Sequence, residues 1–150
     1  MPGIIVGIDG SAHSRRALEW AVGEAAVRQA PLTVLTVHQA MAGWAGGSVN
    51  YPGDADLTAQ ARKKVQEETD SALASLPAGP RPPSVTIEAV NGIPTVELLR
   101  AAADADMIVV GSRGGGGFAK LMLGSVSTQI VHHAHCPVVV IPGERNNDAD

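Results

Sequence analysis

The eight residues IIVGIDGS at positions 4–11 are the clearest indication of the fold. Residues 4–8 form a continuous apolar run, which predicts a short strand covered on both faces, as in a parallel sheet. The strand ends at Asp9, and the side chain of Ser11 or Ser14 can then cap a helix. Apolar residues recur in that helix with the spacing of one buried face, at Leu18, Ala21, Val22 and Ala25.

The alternation of strand and helix continues along the chain. The sequence predicts four more strands, at residues 32–37, 85–90, 107–110 and 138–141, and three more helices, at residues 58–76, from Pro94 onwards and at 125–134. Parallel strands need helical crossovers, so this pattern indicates an α/β fold. We expect a three-layer, doubly wound, five-stranded parallel sheet in a single domain over residues 1–150.

Two stretches show no periodicity. Residues 38–57 are rich in glycine and proline, which predicts a long loop that is a lid, a binding loop or a disordered segment. Residues 143–150 are polar, and we expect this tail to fray.

The composition excludes several classes of protein. With 11 basic and 15 acidic residues the net charge is −4, whereas nucleic-acid-binding proteins usually carry a basic face. The single cysteine rules out an internal disulfide, and no apolar stretch approaches the ~20 residues that span a membrane. The N-terminal apolar run ends at Asp9 and lacks a preceding basic region, so we expect no signal peptide and a cytoplasmic protein.

The glycines are concentrated after the fourth predicted strand, where residues 111–127 read GSRGGGGFAKLMLGSVS. A strand, a glycine-rich loop and a helix N-terminus together bind phosphate, because backbone N–H groups and the helix dipole favour an anion. Ser125 can serve as the N-cap and as a hydroxyl donor. A flexible turn with an ordinary serine cap explains the same residues and remains an alternative.

Two familiar phosphate motifs do not fit this stretch. A P-loop requires lysine followed by serine or threonine, but Lys120 stands between Ala119 and Leu121. Residues 114–119 match G-x-G-x-x-A, yet they follow the fourth strand, and no acidic residue stands about 20 positions later.

The spacing of Gly111, Gly114 and Gly124-Ser125 resembles that of the nucleotide-binding branch of the universal stress protein family. The resemblance extends over nearly the whole chain. Further matching segments are residues 5–11, 92–94, 106–112 and 136–142.

This resemblance implies an adenine nucleotide alpha hydrolase-like fold with strand order 3-2-1-4-5 and an ATP site with Mg²⁺ at the phosphates. Asp9 would contact the ribose hydroxyls or the adenine edge, and Val37 would offer backbone contacts and an apolar wall to the base. Gly111, Gly114, Gly124, Ser125 and Val126 would surround the phosphates. The remaining candidate site residues are Gly7, Ser112, Arg113, Gly115, Gly116 and Gly117.

The family also implies a homodimer through the fifth strands, residues 138–142. An apolar, β-branched strand at a sheet edge fits this expectation, because an isolated monomer would have to protect it. Arg113 and Lys120 could pair with phosphate or remain solvated. The run of four glycines departs from many relatives, which predicts a more mobile loop and lower affinity.

Other conspicuous side chains have simpler interpretations. His132, His133, His135 and Cys136 suggest a metal, but Pro137 breaks their helical geometry, so we predict no metal site and a buried, unreactive Cys136. His38 could contact a base or merely end its strand. Trp44 and Tyr51 could cover a bound base, or their loop could be disordered.

We therefore expect an ATP-binding protein that acts as a nucleotide-dependent sensor or regulator in a stress response. Catalysis is left open, because no dedicated general base or metal-holding acid can be placed and slow ATP hydrolysis is the most that the residues suggest. The alternatives are a weak nucleotide hydrolase, and an interaction scaffold that binds cyclic AMP or no nucleotide.

Overall fold

A computed structural model describes residues 3–38, 54–112 and 124–143. The strands are β1 (Ile4–Ile8), β2 (Leu32–His38), β3 (Val85–Asn91), β4 (Met107–Gly111) and β5 (Val138–Ile141). The helices are α1 (Ala12–Arg28), α2 (Asp54–Ala74), α3 (Pro94–Ala101), which continues as a short 3-10 turn over Ala102–Asp104, and α4 (Ser125–His133).

The strands form one five-stranded sheet of order β3-β2-β1-β4-β5, in which every pairing is parallel. Central β1 is hydrogen-bonded on both sides, with Ile4 in register with Leu32 and with Met107. The chain moves outwards from β1 in one direction and then returns to pair β4 on its other side. This reversal confirms the predicted doubly wound sheet and places a crevice between the ends of β1 and β4.

Two apolar clusters lie on opposite faces of the sheet. The first cluster joins α1 and α2 to one face through residues such as Leu18, Val22 and Val65. The second joins α3 and α4 to the other face through Leu98, Ile108 and Ile130. The three layers that the sequence predicted are therefore present.

Helix α1 begins as its sequence indicates. Ser11 is the N-cap, and its hydroxyl accepts a hydrogen bond from the backbone N–H of Ser14 at 3.2 Å. The buried face of the helix includes Leu18, Ala21 and Val22. Small residues on this face allow the helix to lie close to the sheet.

The structure places both ends of the predicted loop at residues 38–57 in regular elements. His38 belongs to β2 and is in register with Asn91, and α2 begins at Asp54 rather than at Thr58. A carboxylate at Asp56 suits the first turn of a helix, although this turn has no apolar periodicity to reveal it. Residues 39–53 and the tail from 144 lie outside the described residues.

Candidate functional site

An open cavity of about 180 Å³ lies at the carboxyl edge of the sheet, in the crevice between β1 and β4. Seven of the predicted site residues line it, namely Gly7, Asp9, Val37, Gly111, Gly124, Ser125 and Val126. Ser112 is adjacent and acts through its backbone. Arg113, Gly114, Gly115, Gly116 and Gly117 lie outside the described residues, as do Trp44, Tyr51 and Lys120.

The turn between β1 and α1 holds the Asp9 carboxylate in place. Its Oδ1 atom accepts a hydrogen bond from the backbone N–H of Ser11 at 2.9 Å. The backbone N–H of Asp9 donates to Ser14 Oγ at 3.2 Å, and that hydroxyl donates to the Ser11 carbonyl at 3.0 Å. Gly10 makes the turn possible, since its φ of 85° is left-handed. The carboxylate is thus oriented by a local network.

These contacts also set the charge of Asp9. Partial burial acts to raise the pKa of the carboxyl, but the hydrogen bonds from Ser11 and Ser14 outweigh it and hold the pKa below its ordinary value. The side chain is therefore an anion at neutral pH. An ionised carboxylate only accepts hydrogen bonds, so the group suits a ligand that presents hydroxyl or amino donors.

Acid is expected to remove a stabilising contribution of Asp9. Because the folded pKa lies below the unfolded value of about 3.9, the contribution is complete above that value and is lost as the pH falls through the folded pKa. From about pH 6 to about pH 2, wild type should therefore lose more free energy of unfolding than Asp9→Asn. Urea denaturation at a series of pH values measures this difference, and equal losses in the two proteins would contradict it.

A second wall of the cavity is formed by the end of β4 and the start of α4. The backbone N–H of Gly124 donates to the Ser112 carbonyl at 2.6 Å. Ser127 Oγ lies 3.0 Å from the same carbonyl and 3.1 Å from that of Gly124. These contacts fix the start of α4 at the cavity. Its first backbone N–H groups have no partner within the helix and can bind an anion.

The prediction that Ser125 caps α4 is wrong. Gly124 is the N-cap, with no side-chain cap, and Ser125 is the first residue of the helix. The hydrogen bond from Gly124 to Ser112 decides the position, because it fixes Gly124 in an extended conformation with φ −66° and ψ 166°. Ser125 is exposed and lines the cavity, so its hydroxyl remains available to a ligand.

The third wall is apolar and comes from β2 and α3. Leu35 and Val37 of β2 line the cavity together with Pro94 and Leu98 of α3. Pro94 occupies the start of α3, as predicted, where its missing N–H costs nothing. This wall can pack against a flat, apolar ring.

Gly111 is required for packing as well as for access to the cavity. A Cβ atom on Gly111 would lie 2.9 Å from the backbone carbonyl carbon and oxygen of His13. The end of β4 thus touches the first turn of α1 directly. The glycine spacing in the sequence does not reveal this contact, because it joins residues that are far apart in the chain.

His38 does not reach the cavity. Its Nε2 atom is 2.8 Å from Thr58 Oγ1 on α2. Side chains alternate along a strand, so His38 faces the α1 and α2 layer while Val37 faces the cavity. The simpler interpretation, a histidine that ends its strand, therefore holds. Cys136 packs partly buried against the second cluster, and burial is the main cause that raises the pKa of its thiol.

Ser14, Ser127 and Leu98 line the cavity but were not predicted as site residues. For Ser14 a signal existed, since its spacing from Ser11 marks both as cap candidates. Over the described ranges, no cluster of three or more His, Cys, Asp and Glu side chains could hold a metal ion. No helix in the same ranges is long and apolar enough to cross a membrane.

The sequence matches the Universal stress protein family over residues 2–142. Universal stress protein Rv1996 of Mycobacterium tuberculosis is 36% identical over 154 aligned residues, which cover 95% of this chain and 48% of that protein. The chain spans about half the length of the curated relatives it matches.

Solved structures show the same fold. UspA from Lactobacillus plantarum superposes with a TM-score of 0.72 at 25% identity, over 93% of this chain and 97% of that one. A universal stress protein in complex with cAMP gives 0.66 at 24% identity, with coverages of 94% and 96%. The protein from Archaeoglobus fulgidus in complex with dAMP gives 0.64 at 20% identity, with coverages of 94% and 98%.

Proposed function

This chain belongs to the universal stress protein family, and we propose that it binds ATP in the cavity between β1 and β4 and acts as a nucleotide-dependent sensor or regulator. One arrangement carries the proposal. The ionised Asp9 carboxylate and the N-terminus of α4 line the same cavity, together with an apolar wall. A nucleotide has the matching parts, namely sugar hydroxyls, phosphates and a flat base.

The sugar suits the Asp9 side of the cavity. Asp9 Oδ1 accepts from the backbone N–H of Ser11, and an ionised carboxylate has about four acceptor positions, so it can accept from a ligand as well. A ribose hydroxyl can donate to this carboxylate, and because the turn already holds the side chain, little side-chain entropy is lost on binding. Hydrogen bonds to an ionised acceptor are stronger than neutral ones.

The base suits the apolar wall, where the Val37 carbonyl supports a preference for adenine. The Leu32 N–H and the His38 carbonyl form hydrogen bonds on the β3 side, so even-numbered residues of β2 direct their backbone groups towards β3. Successive residues of a strand alternate in this respect, so Val37 directs its N–H and carbonyl towards β1. Strand β1 ends at Ile8, in register with Thr36, so the Val37 carbonyl extends past it. A carbonyl accepts from the amino group of adenine and repels the O6 atom of guanine.

The phosphates suit the N-terminus of α4. The N–H groups of Ser125 and Val126, the Ser125 hydroxyl and the helix dipole all favour an anion there, and the first turn holds no acidic side chain. Arg113 and the glycines at 114–117 are further proposed contacts. Mg²⁺ would be held chiefly by the phosphates themselves.

Solved relatives in complex with cAMP and with dAMP support an adenine nucleotide as the ligand class. They also keep cyclic AMP as the alternative to ATP. Both ATP and cyclic AMP have an adenine and a sugar that could occupy the cavity, but only ATP has a chain of phosphates that could extend towards α4. An ATP sensor acts where ATP is made and used, so the proposal includes a cytoplasmic location.

Isothermal titration calorimetry with ATP, cAMP and GTP tests this function. We expect one ATP per chain, with GTP weaker by roughly ten-fold because its O6 atom meets the Val37 carbonyl. Tighter binding of cAMP than of ATP would replace ATP by the alternative ligand. No binding of any of the three would contradict the proposal and favour a nucleotide-independent scaffold.

The proposal also includes a homodimer through β5, over residues 138–142. The four residues of β5 are apolar and only partly buried, and the strand is an edge of the sheet formed by the described residues. Adding a strand from a second copy would pair its open backbone groups and cover these side chains. A mass of two chains in sedimentation velocity would support the dimer, and a mass of one chain at all concentrations would contradict it.

A further inference from the structure

Among the strands that the structure describes, β3 and β5 are the two edges of the sheet, and an edge strand directs every second set of backbone groups away from its one neighbour. In β3 the outward groups can be identified. The backbone N–H of Leu32 donates to the Ser84 carbonyl, and the N–H of Gly92 donates to the His38 carbonyl. The backbone groups of even-numbered residues in β3 are therefore directed towards β2. The backbone groups of the odd-numbered residues, Val85, Ile87, Ala89 and Asn91, are therefore directed away from β2.

Arg62 of α2 occupies the centre of this edge. Its Nη2 atom donates to the outward carbonyl of Ile87 at 2.7 Å, in a partly buried contact. Val65, almost one turn later in α2, is buried in the first cluster and anchors the helix beside the strand. The guanidinium thus sits where the N–H of an added strand would have to bond.

The β5 edge differs in this respect. The backbone of Ile108 donates to Pro137 and that of Ser112 to Ile141, so odd-numbered residues there face β4. Val138 and Val140 direct their backbone outwards. Over residues 3–38, 54–112 and 124–143, no side chain donates to either of their carbonyls.

We propose that Arg62 closes the β3 edge, so that a second copy of this chain can add a strand only at β5. An incoming strand would have to displace a charge-assisted hydrogen bond and leave the guanidinium without its acceptor. If two β3 strands met about a two-fold axis, two Arg62 side chains would also be brought together, and like charges repel.

The consequence is a limit on assembly size. The expected size of the wild-type assembly depends on the dimer proposed above. The closure of the β3 edge by Arg62 does not depend on that dimer. Two copies joined through β5 still have a β3 edge at each outer end. If those edges could pair, each addition would leave another free edge, and the assembly would grow as an open chain.

Sedimentation velocity over a range of concentrations tests the proposal, with Arg62→Ala compared with Lys63→Ala. Lys63 is the exposed neighbour on α2, so its variant loses the same charge without opening the edge. We expect Arg62→Ala at least to double the weight-average mass relative to wild type at high concentration, and Lys63→Ala to match wild type. Arg62→Met, which keeps the aliphatic stem, should behave as Arg62→Ala and replaces it if that variant misfolds.

A second substitution identifies the edge. Ala89 faces outwards, so Ala89→Pro removes an N–H that the sheet does not use and should return the Arg62→Ala chain to the wild-type mass. The proposal is overturned if folded Arg62→Ala and Arg62→Met sediment as wild type, if Lys63→Ala associates equally, or if Ala89→Pro does not reverse the association. ATP titration of the same variants is expected to be unchanged, which separates this result from the nucleotide proposal.

Discussion

Replacing Asp9 by alanine is expected to weaken ATP binding by roughly 10-fold to 100-fold, the largest effect on affinity of any single substitution considered. The variant removes an ionised acceptor, and a hydrogen bond to a charged group contributes about 1.5–3 kcal/mol. It also removes the acceptor for the Ser11 N–H, so part of the loss would come from the turn itself. Calorimetric titration with ATP measures the change.

Two further variants separate these causes. Asp9→Asn retains an oxygen that can accept from Ser11 but has no charge, so it isolates the contribution of the carboxylate. Asp104→Ala removes an exposed aspartate at the amino end of β4, away from the cavity, and should leave affinity unchanged. Wild-type affinity in both Asp9 variants would show that the nucleotide does not use this carboxylate.

Replacing Gly111 by alanine is expected to destabilise the fold by about 1–3 kcal/mol, as over-packing does elsewhere. The new Cβ would lie 2.9 Å from the backbone of His13, and a backbone gives way less easily than a flexible side chain. Either the first turn of α1 or the end of β4 must shift. Both carry the walls of the cavity, so ATP affinity should fall as well. Urea denaturation and calorimetry measure the two effects.

Gly23→Ala is the matched control. Gly23 lies within α1, and a Cβ there would meet no atom within 4 Å. Alanine is preferred over glycine within a helix, so this variant should gain roughly 0.5–1 kcal/mol of stability. If Gly111→Ala were as stable as Gly23→Ala, the close contact between β4 and α1 would not constrain this position.

The fold could be predicted because its signals are local. The apolar run of β1 and the regular spacing in α1 each lie within a few neighbouring residues, and the structure confirms both. Of the two predicted cap candidates, Ser11 and Ser14, it selects Ser11. The order of the strands came from the family resemblance instead, since apolar periodicity does not say which strands pair. The sequence places the start of α2 at Thr58, four residues too late, because the turn that begins at Asp54 shows no apolar periodicity.

The roles of the site residues stay predictions, although the structure shows which of these residues lie together. Asp9, Val37 and the start of α4 share one cavity, as the resemblance implied. The cap of α4 was assigned to Ser125 because serine is a good cap, whereas a tertiary hydrogen bond from Gly124 to Ser112 decides it. The contact of Gly111 with His13 likewise depends on packing between distant parts of the chain, which one sequence does not reveal.

We propose above all that ATP binds in the cavity between β1 and β4. Backbone amide NMR shifts during titration with ATP test it most directly, because they report the location of binding as well as its strength. We expect the largest shifts at Asp9, Val37, Ser125 and Val126, with little change in α2 beyond Val65. Shifts concentrated elsewhere in the protein, or no shifts at saturating ATP, would contradict it.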